Sequence, residues 1–453
     1  MFKRIFWALL LGATSGCTLI PDYQRPASPV AARFPGGSAE STDIDALPWR
    51  DFYADPRLTR CIEIALENNR DLRVAVLKVE KARAQYRIQR AELLPQVDAT
   101  GSLTRSHAQG GTSDQYEAGV GVTSYELDLF GRVRSNNRQV LEEYFSLAET
   151  RRSAHISLIA EVATQYLTLR EYEEQLALAR ETLESVSGSL ELTRKKIDAG
   201  GAASSDLASV EVQVQTARIN VHTYERLAAQ AGNTLAELLG QSVPADLPAG
   251  LALDDPRLLP TVASGLSSDL IARRPDILAA EHTLLAANAD IGAARAAFFP
   301  RITLTGSAGY SSSELTGLFN SSNGVWSFMP QITVPIFSGG SNRATLDAAK
   351  ISMRIEVANY EKAIQTAFRE VADALVASDS YTSQIQAQVA LVKAQQDRFD
   401  FAQKKYDSGI SGYLDVLSAQ QDLFSAKQNL ISARVAQSEN VVTLYKVLGG
   451  GWR

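Results

Sequence analysis

The chain has 453 residues, with 45 lysines and arginines against 51 aspartates and glutamates, for a net charge of −6. Its basic residues are spread along the chain, which argues against a nucleic-acid footprint. Two cysteines, Cys17 and Cys61, exclude a disulfide framework and a cysteine-rich metal site.

Residues 1–16 read "MFKRIFWALLLGATSG": Lys3 and Arg4, then an apolar run from Ile5 to Ala13, then small residues leading to Cys17. This pattern predicts a lipoprotein signal cleaved before Cys17, whose thiol then carries lipid. Thr14 stands where leucine is usual, so an ordinary signal peptide that happens to contain a cysteine is the alternative. Thr18, just after the cysteine, suits the outer membrane. Beyond Cys17 no apolar run approaches the ~20 residues of a membrane-spanning helix. Residues 17–56 read as a tether and equatorial segment, with Thr18–Trp49 extended because it is rich in Pro, Ala, Gly and Ser. A first helix follows, on which Cys61 is expected to be a buried small apolar residue.

The next stretch is written twice. "ELLPQVDATGS" (Glu92–Ser102) returns as "AFFPRITLTGS" (Ala297–Ser307). In each copy a helix ends at Pro95 or Pro300 and an alternating strand begins, Val97–Thr104 or Ile302–Gly309. A polar loop is expected at His107–Gln115 and again at Ser312–Gly324. The return strands are Tyr116–Phe130 and Val325–Phe337, the latter with Trp326, Phe328, Ile332, Val334 and Ile336 on one face.

Two long helices follow these hairpins. Proline is absent between Pro95 and Pro244 and after Pro335, and glycine is absent from Ser341 to Ser408. Proline breaks helices, so both stretches are free to run on. Leu158, Val162, Leu169, Leu176, Leu183 and Leu190 keep a 4,3 spacing, as do Phe368, Val371, Leu375, Val389, Val392 and Phe399, which predicts coiled-coil packing. A helix of roughly 68 residues is about 100 Å long. Each rod stops at a turn, "IDAGGAASSDLAS" (Ile197–Ser209) or "YDSGISGYLDVLS" (Tyr406–Ser418), with Gly200 and Gly409 suited to the left-handed position. Ser204 or Ser205, and Gly412, are expected to open the next helices, near 204–239 and 413–448. The chain is thus an internal two-fold repeat. Repeat 1 is 57–240, with hairpin 93–130 and tip turn 198–205. Repeat 2 is 269–449, with hairpin 300–337 and tip turn 407–413. An equatorial linker, 241–268, joins them, and 450–453 is a tail.

Four strands of membrane-crossing length cannot close a barrel, and open edges do not survive in lipid. Three copies supply twelve strands. The expected fold is mainly α with membrane β: a trimer with a 12-stranded barrel, four strands per subunit, continued by a coiled-coil helical tube.

The stretch "RRPDILAAEHTLLAANADIGAARAAFFPRITLTGSAGY" (Arg273–Tyr310) resembles the TolC-like outer membrane factors, in the lipoprotein (NodT/OprM-like) branch that serves tripartite efflux systems. "CTLIPDYQRP" (Cys17–Pro26), "WRDFYADPRLTRCIEIALENNRDL" (Trp49–Leu72), "YELDLFGRVR" (Tyr125–Arg134), "VPIFSGGSNRA" (Val334–Ala344) and "VTLYKVLGGGW" (Val442–Trp452) carry the same resemblance across nearly the whole chain. It implies a homotrimeric, non-enzymatic duct in the outer membrane of a Gram-negative bacterium, lipid-anchored and reaching into the periplasm. Its implied partners are a periplasmic adaptor, an inner-membrane pump of RND type, and outer-membrane lipid. It implies no cofactor beyond the lipid on Cys17, and export of small toxic compounds. The alternative is a duct for protein or polysaccharide secretion. A coiled-coil envelope spacer is a further rival, but it has no use for four amphipathic strands.

The resemblance also implies an acidic gate at the turns, where Asp206 and Asp415 match, and a gating tyrosine at Tyr406. Ser418, Ser209 and Ser411 stand where some relatives carry charge. Asp206 and Asp415 also suit a first helical turn on macrodipole grounds alone, and Tyr406 fits the packing seam. Gly200, Gly201 and Ser205, with Gly409, Ser411 and Gly412, are the expected adaptor contacts. "FSGGSNR" (Phe337–Arg343) lacks the ending of a phosphate-binding loop. His107, His155, His222 and His282 lack metal-ligand spacing.

Overall fold

The computed structural model describes residues 18–34, 48–108, 110–201, 203–260 and 268–451. Cys17 and the expected signal segment lie outside the described residues. In chain order the elements are α1 (Trp49–Phe52), α2 (Pro56–Asn68), α3 (Arg70–Ala91), β1 (Val97–Ala108), β2 (Gly111–Leu127), α4 (Arg132–Asp198) and α5 (Ser204–Leu239). After a 3-10 turn (Ser268–Arg273) come α6 (Pro275–Ala296), β3 (Arg301–Ser312), β4 (Gly324–Thr333), α7 (Ser341–Asp407) and α8 (Tyr413–Val447). The helices α4 and α7 have 67 residues each, about 100 Å of helix. At the start of α4, Asp128 accepts from the backbone N–H groups of Val133 (3.1 Å) and Arg134 (2.9 Å), which have no partner inside the helix.

The chain divides into two compact units. One gathers the described residues up to Ser28 with Leu77–Glu149 and Asp276–Ala363; the other holds Pro29–Val76, Thr150–Pro275 and the residues from Ile364.

The first unit carries an antiparallel sheet in the order β1-β2-β3-β4. Its register sorts side chains by chemistry. Leu103 pairs with Tyr116, Val97 with Val122, Val120 with Ala308, Ala308 with Trp326, and Ile302 with Ile332. From Val97 to Leu103 on β1 this face is apolar across the four strands, and beyond that band it carries Arg105 opposite Asp114 and His107 opposite Thr112. The opposite face pairs Thr100 with Gly119, Ser102 with Glu117, Glu126 with Thr303, and Ser307 with Ser327. A bulge between Val122 and Tyr125, with Ser124 at φ 55°, keeps the two faces separate. It leaves Tyr125 on the apolar side, where its hydroxyl donates to the Leu93 carbonyl at 3.0 Å.

Glycines report the curvature. On the polar face, a Cβ on Gly119 would stand 2.8 Å from the Ala308 carbonyl oxygen, and one on Gly121 2.9 Å from that of Gly306; Gly309 is closer still to Ala118. On the apolar face, Gly101 and Gly306 meet nothing nearer than 3.9 Å and 3.5 Å. The backbone crowds on the polar side alone, so the sheet is concave there.

The strands differ from the sequence expectation. Residues expected as a polar loop after the first strand are strand: β1 runs to Ala108 and β2 begins at Gly111. Their polar side chains pair across the hairpin, Arg105 with Asp114 (2.6 and 2.7 Å), Ser106 with Ser113 (2.9 Å) and His107 with Thr112 (3.0 Å). Conversely β4 stops at Thr333, so Val334 and Ile336 lie beyond the strand.

The described part of the N-terminal segment is extended and docks along α6. Arg295 donates to the Leu19 carbonyl (3.0 Å), Asn288 to the Pro21 carbonyl (2.9 Å), and Tyr23 to Glu281 (3.2 Å), which Arg25 also grips. Residues 295, 288 and 281 are spaced by sevens and so share one face of α6. Gly292 leaves the room that Ile20 occupies.

The second unit is centred on Asp55, which is fully buried. It caps α2 through the N–H groups of Arg57 (2.8 Å) and Leu58 (3.3 Å), and it accepts from the Tyr166 hydroxyl on α4 (2.9 Å) and the Leu251 N–H (3.1 Å). One carboxylate thus ties the first helix, a long helix and the linker between repeats. Nearby, Phe52 stacks on Tyr445 with centroids 3.8 Å apart, and Arg274 donates to Val447 O (2.8 Å) and Glu370 (3.0 Å). Cys61 is buried, and burial pushes its thiol up to about 11. Asp55→Ala removes the acceptor of four donors, two of them the capping N–H groups of α2, so it is expected to cost roughly 3 kcal/mol. Tyr166→Phe is expected to cost about 1 kcal/mol. Thermal unfolding in detergent checks both, and equal effects would contradict the central role of the carboxylate.

Candidate functional site

Two helical turns in the second unit have the same geometry. After α4, Gly200 sits at φ 76°; its N–H donates to Ile197 O (2.8 Å) and the Gly201 N–H to Lys196 O (2.7 Å). After α7, Gly409 sits at φ 71°; its N–H donates to Tyr406 O (3.0 Å) and the Ile410 N–H to Lys405 O (2.9 Å). This paired closure ends a helix when a left-handed residue follows it, which is why glycine stands at both places.

The restart differs from expectation on one side. The N-cap of α5 is Ala203, not Ser204 or Ser205, and Asp206 three residues on accepts from the Ala203 N–H at 3.4 Å. The side chain from inside the helix does the capping, so no serine is required. Gly412 does cap α8, with Asp415 in its first turn.

Asp206 is half-buried and Asp415 exposed. Among the described residues no hydrogen bond or ion pair joins Asp206 to Asp415 or to Tyr406. Tyr406 is instead held by its ring. The Lys196 ammonium lies 4.1 Å from the ring centroid and 4.0 Å from the Asp407 carboxylate. On the other side Tyr413 meets Tyr406 edge-on at 5.1 Å, within a cluster of Val210, Tyr413 and Val416 that also takes Leu190 and Phe399. The Tyr406 hydroxyl is buried with no hydrogen-bond partner. Burial pushes the Tyr413 phenol up, so that it stays neutral. The four helices α4, α5, α7 and α8 thus meet on two tyrosine rings.

Lys196 was not singled out by sequence reasoning. The signal that would have found it is its return as Lys405, in "KKIDAG" and "KKYDSG". Gly200, Gly201, Ser205, Gly409 and Gly412 are exposed, and Ser411 is half-buried with an unpartnered hydroxyl. Among the described residues, no group of three His, Cys, Asp or Glu is placed to hold a metal, and no helix is long and apolar enough to cross a membrane.

The family model for outer membrane efflux proteins matches residues 61–241 and 266–450. The chain is 49% identical over 459 residues to a toluene efflux pump outer membrane protein of Pseudomonas putida, covering 98% of this chain and 94% of the relative. It is 44% identical to the outer membrane protein OprJ of Pseudomonas aeruginosa, covering 98% and 95%. Its fold matches the open state of the Neisseria gonorrhoeae MtrE outer membrane channel with a TM-score of 0.90 at 42% identity, covering 96% of this chain and 99% of that one. The fold is that of the TolC-like outer membrane channels.

Lys196→Met removes the cation from the Tyr406 ring and from Asp407. Limited proteolysis of the detergent-solubilised protein is expected to cut several-fold faster within residues 198–206 and 407–413. An unchanged cleavage rate would mean that Lys196 holds nothing together.

Proposed function

The chain belongs to the outer membrane efflux protein family, and from that premise we propose that three copies join their sheets into one twelve-stranded barrel whose helices continue as a tube into the periplasm. The protein is the outer-membrane component of an efflux pump in a Gram-negative bacterium, and it conducts rather than catalyses.

The observation that carries the barrel is the two-faced sheet, apolar on its convex side and concave on its polar side. A polar concave face suits a water-filled lumen, and an apolar convex face suits lipid. The edge strands β1 and β4 have unpaired backbone groups on their outer sides. In lipid those groups need partners, and two further copies provide them.

Small organic toxicants are the proposed cargo, in keeping with the similarity to a toluene efflux protein. A periplasmic adaptor and an RND-type inner-membrane pump supply the drive. The exposed turn residues Gly200, Gly201, Ser205, Gly409 and Gly412, with Ser411, offer the adaptor its contact. Lipid on Cys17 adds anchorage to that of the barrel. Asp206 and Asp415 ring the closed end with six carboxylates from three copies, which favours cations there.

Deletion of the gene is expected to raise susceptibility to solvents, dyes and antibiotics, and a plasmid copy is expected to restore resistance. Unchanged inhibitory concentrations across the whole panel, in a strain lacking related ducts, would contradict efflux. The double variant Asp206→Asn, Asp415→Asn is expected to lose cation preference in planar-bilayer recordings. Unaltered selectivity would remove these carboxylates from the gate.

A further inference from the structure

The contact that fixes Tyr406 lies between the two helical hairpins of one chain. Lys196 ends the first hairpin's descending helix, α4, and Asp407 ends the second's, α7. The duplication writes both residues again. In "KKIDAG" (Lys195–Gly200) and "KKYDSG" (Lys404–Gly409), Lys405 corresponds to Lys196 and Asp198 to Asp407. The correspondence is geometric as well, because the two turns share the same backbone closure around Gly200 and Gly409.

The second pair is unused within the chain. Lys405 and Asp198 are both exposed, and neither side chain has an ion-pair or hydrogen-bond partner among the described residues. Lys405 also lines a groove of about 770 Å³ with Phe401, Leu414 and Asp415. Phe401 is 64% exposed and Leu414 71% exposed, so the groove is open and partly apolar. The corresponding places in the first hairpin hold Leu192 and Ser205. The second hairpin therefore presents a free lysine beside bare apolar surface, and the first presents a free carboxylate.

In a closed ring of three copies, hairpins of the first and second kind alternate. Each second hairpin then borders a first hairpin of the next chain. We propose that Lys405 pairs with Asp198 of the neighbouring copy, repeating between chains the contact that Lys196 and Asp407 make within one. The occupant of the Lys405 groove is thus the first hairpin of a second copy. This inference rests on the trimeric reading above.

The repeat is imperfect at one informative place. Where the inner contact has Tyr406, the corresponding residue across the seam is Ile197. The seam lysine keeps an ion pair but has no aromatic face to lie on. An exposed ion pair holds little by itself, and a cation on a ring adds to it. The junction between copies is the weaker of the two, so the helical end parts between chains before it parts within one.

The test uses the full-length chain in its membrane. Lys405→Cys with Asp198→Cys, treated with a short bismaleimide, is expected to give two-chain and three-chain products on a denaturing gel. Lys196→Cys with Asp407→Cys is expected to give single-chain products only, and it controls for folding and reactivity. Cys61 is buried and its thiol stays protonated; the single-cysteine variants measure any contribution from Cys17. Absence of multi-chain product from the first pair, while light scattering of the wild type reports three chains, overturns the seam contact alone. A single chain by light scattering overturns the trimeric reading with it. As a second readout, Lys405→Glu is expected to raise susceptibility to a large glycopeptide antibiotic several-fold, and adding Asp198→Lys is expected to reverse this. Failure of the reversed pair to rescue also counts against the contact.

Discussion

A lipid bilayer offers no hydrogen bonds to an open sheet edge. The rest of this structure follows from that constraint. Four strands with one apolar face belong in lipid, yet β1 and β4 leave their outer backbone groups bare. In the proposed trimer the chain completes itself with copies of itself, and every long element is then compatible with rotational repetition. A duplicated chain meets that demand economically. Each repeat contributes one sheet hairpin and one helical hairpin, so the proposed trimer would be a ring of six similar units. The glycines on the polar face permit the curvature that such a ring needs. Side chains at Gly119, Gly121 or Gly309 would push neighbouring strands apart on the concave side.

Duplication fixes the backbone more tightly than the side chains. Both turns keep Lys, Lys, Asp and a left-handed glycine, because the closure of a helix requires that glycine and not its neighbours. The remaining positions were free to diverge, and they did so where the two hairpins face different neighbours. Tyr406 and Tyr413 stand where the first repeat has Ile197 and Ser204. The aromatic pair builds the core between hairpins of one chain, which folds once and stays together. The lighter residues stand where the proposed seam between chains would lie.

Much of this was legible in the sequence. The bounds of α7 could be read from the absence of proline and glycine, and those of α4 from Gly131 and Gly200 at its ends with Gly188 alone inside it. The sheet was legible in its alternation but not in its extent. Arg105, Ser106 and His107 look like loop residues until Asp114, Ser113 and Thr112 are placed opposite them, and a polar residue paired across a hairpin is as good a strand residue as valine. The docking of the N-terminal strap was not legible for a related reason. Its composition suggests an extended tether, and its partners, Glu281, Asn288 and Arg295, lie more than 250 residues away. Asp55 and Lys196 were missed because their roles exist only between distant segments. The ring of Tyr406 carries its contacts with Lys196 and Tyr413, and its hydroxyl carries none.

The chemistry of the polar face bears on what such a duct can select. Thr100, Ser102, Thr303, Thr305, Ser307 and Ser327 are short hydroxyls on a curved backbone. With the carboxylates of Asp98, Glu117 and Glu126 on the same face they hydrate readily, and they present no aromatic wall. A binding pocket recognises its ligand through a concave apolar surface with a few fixed polar groups. A wall of hydroxyls and carboxylates lacks the concave apolar surface, and tight binding in a conduit would slow passage. Discrimination therefore belongs upstream, where a partner chooses what enters. Under the gate proposed for the two turns, the chemical individuality of this protein lies at those turns and in the lysines beside them.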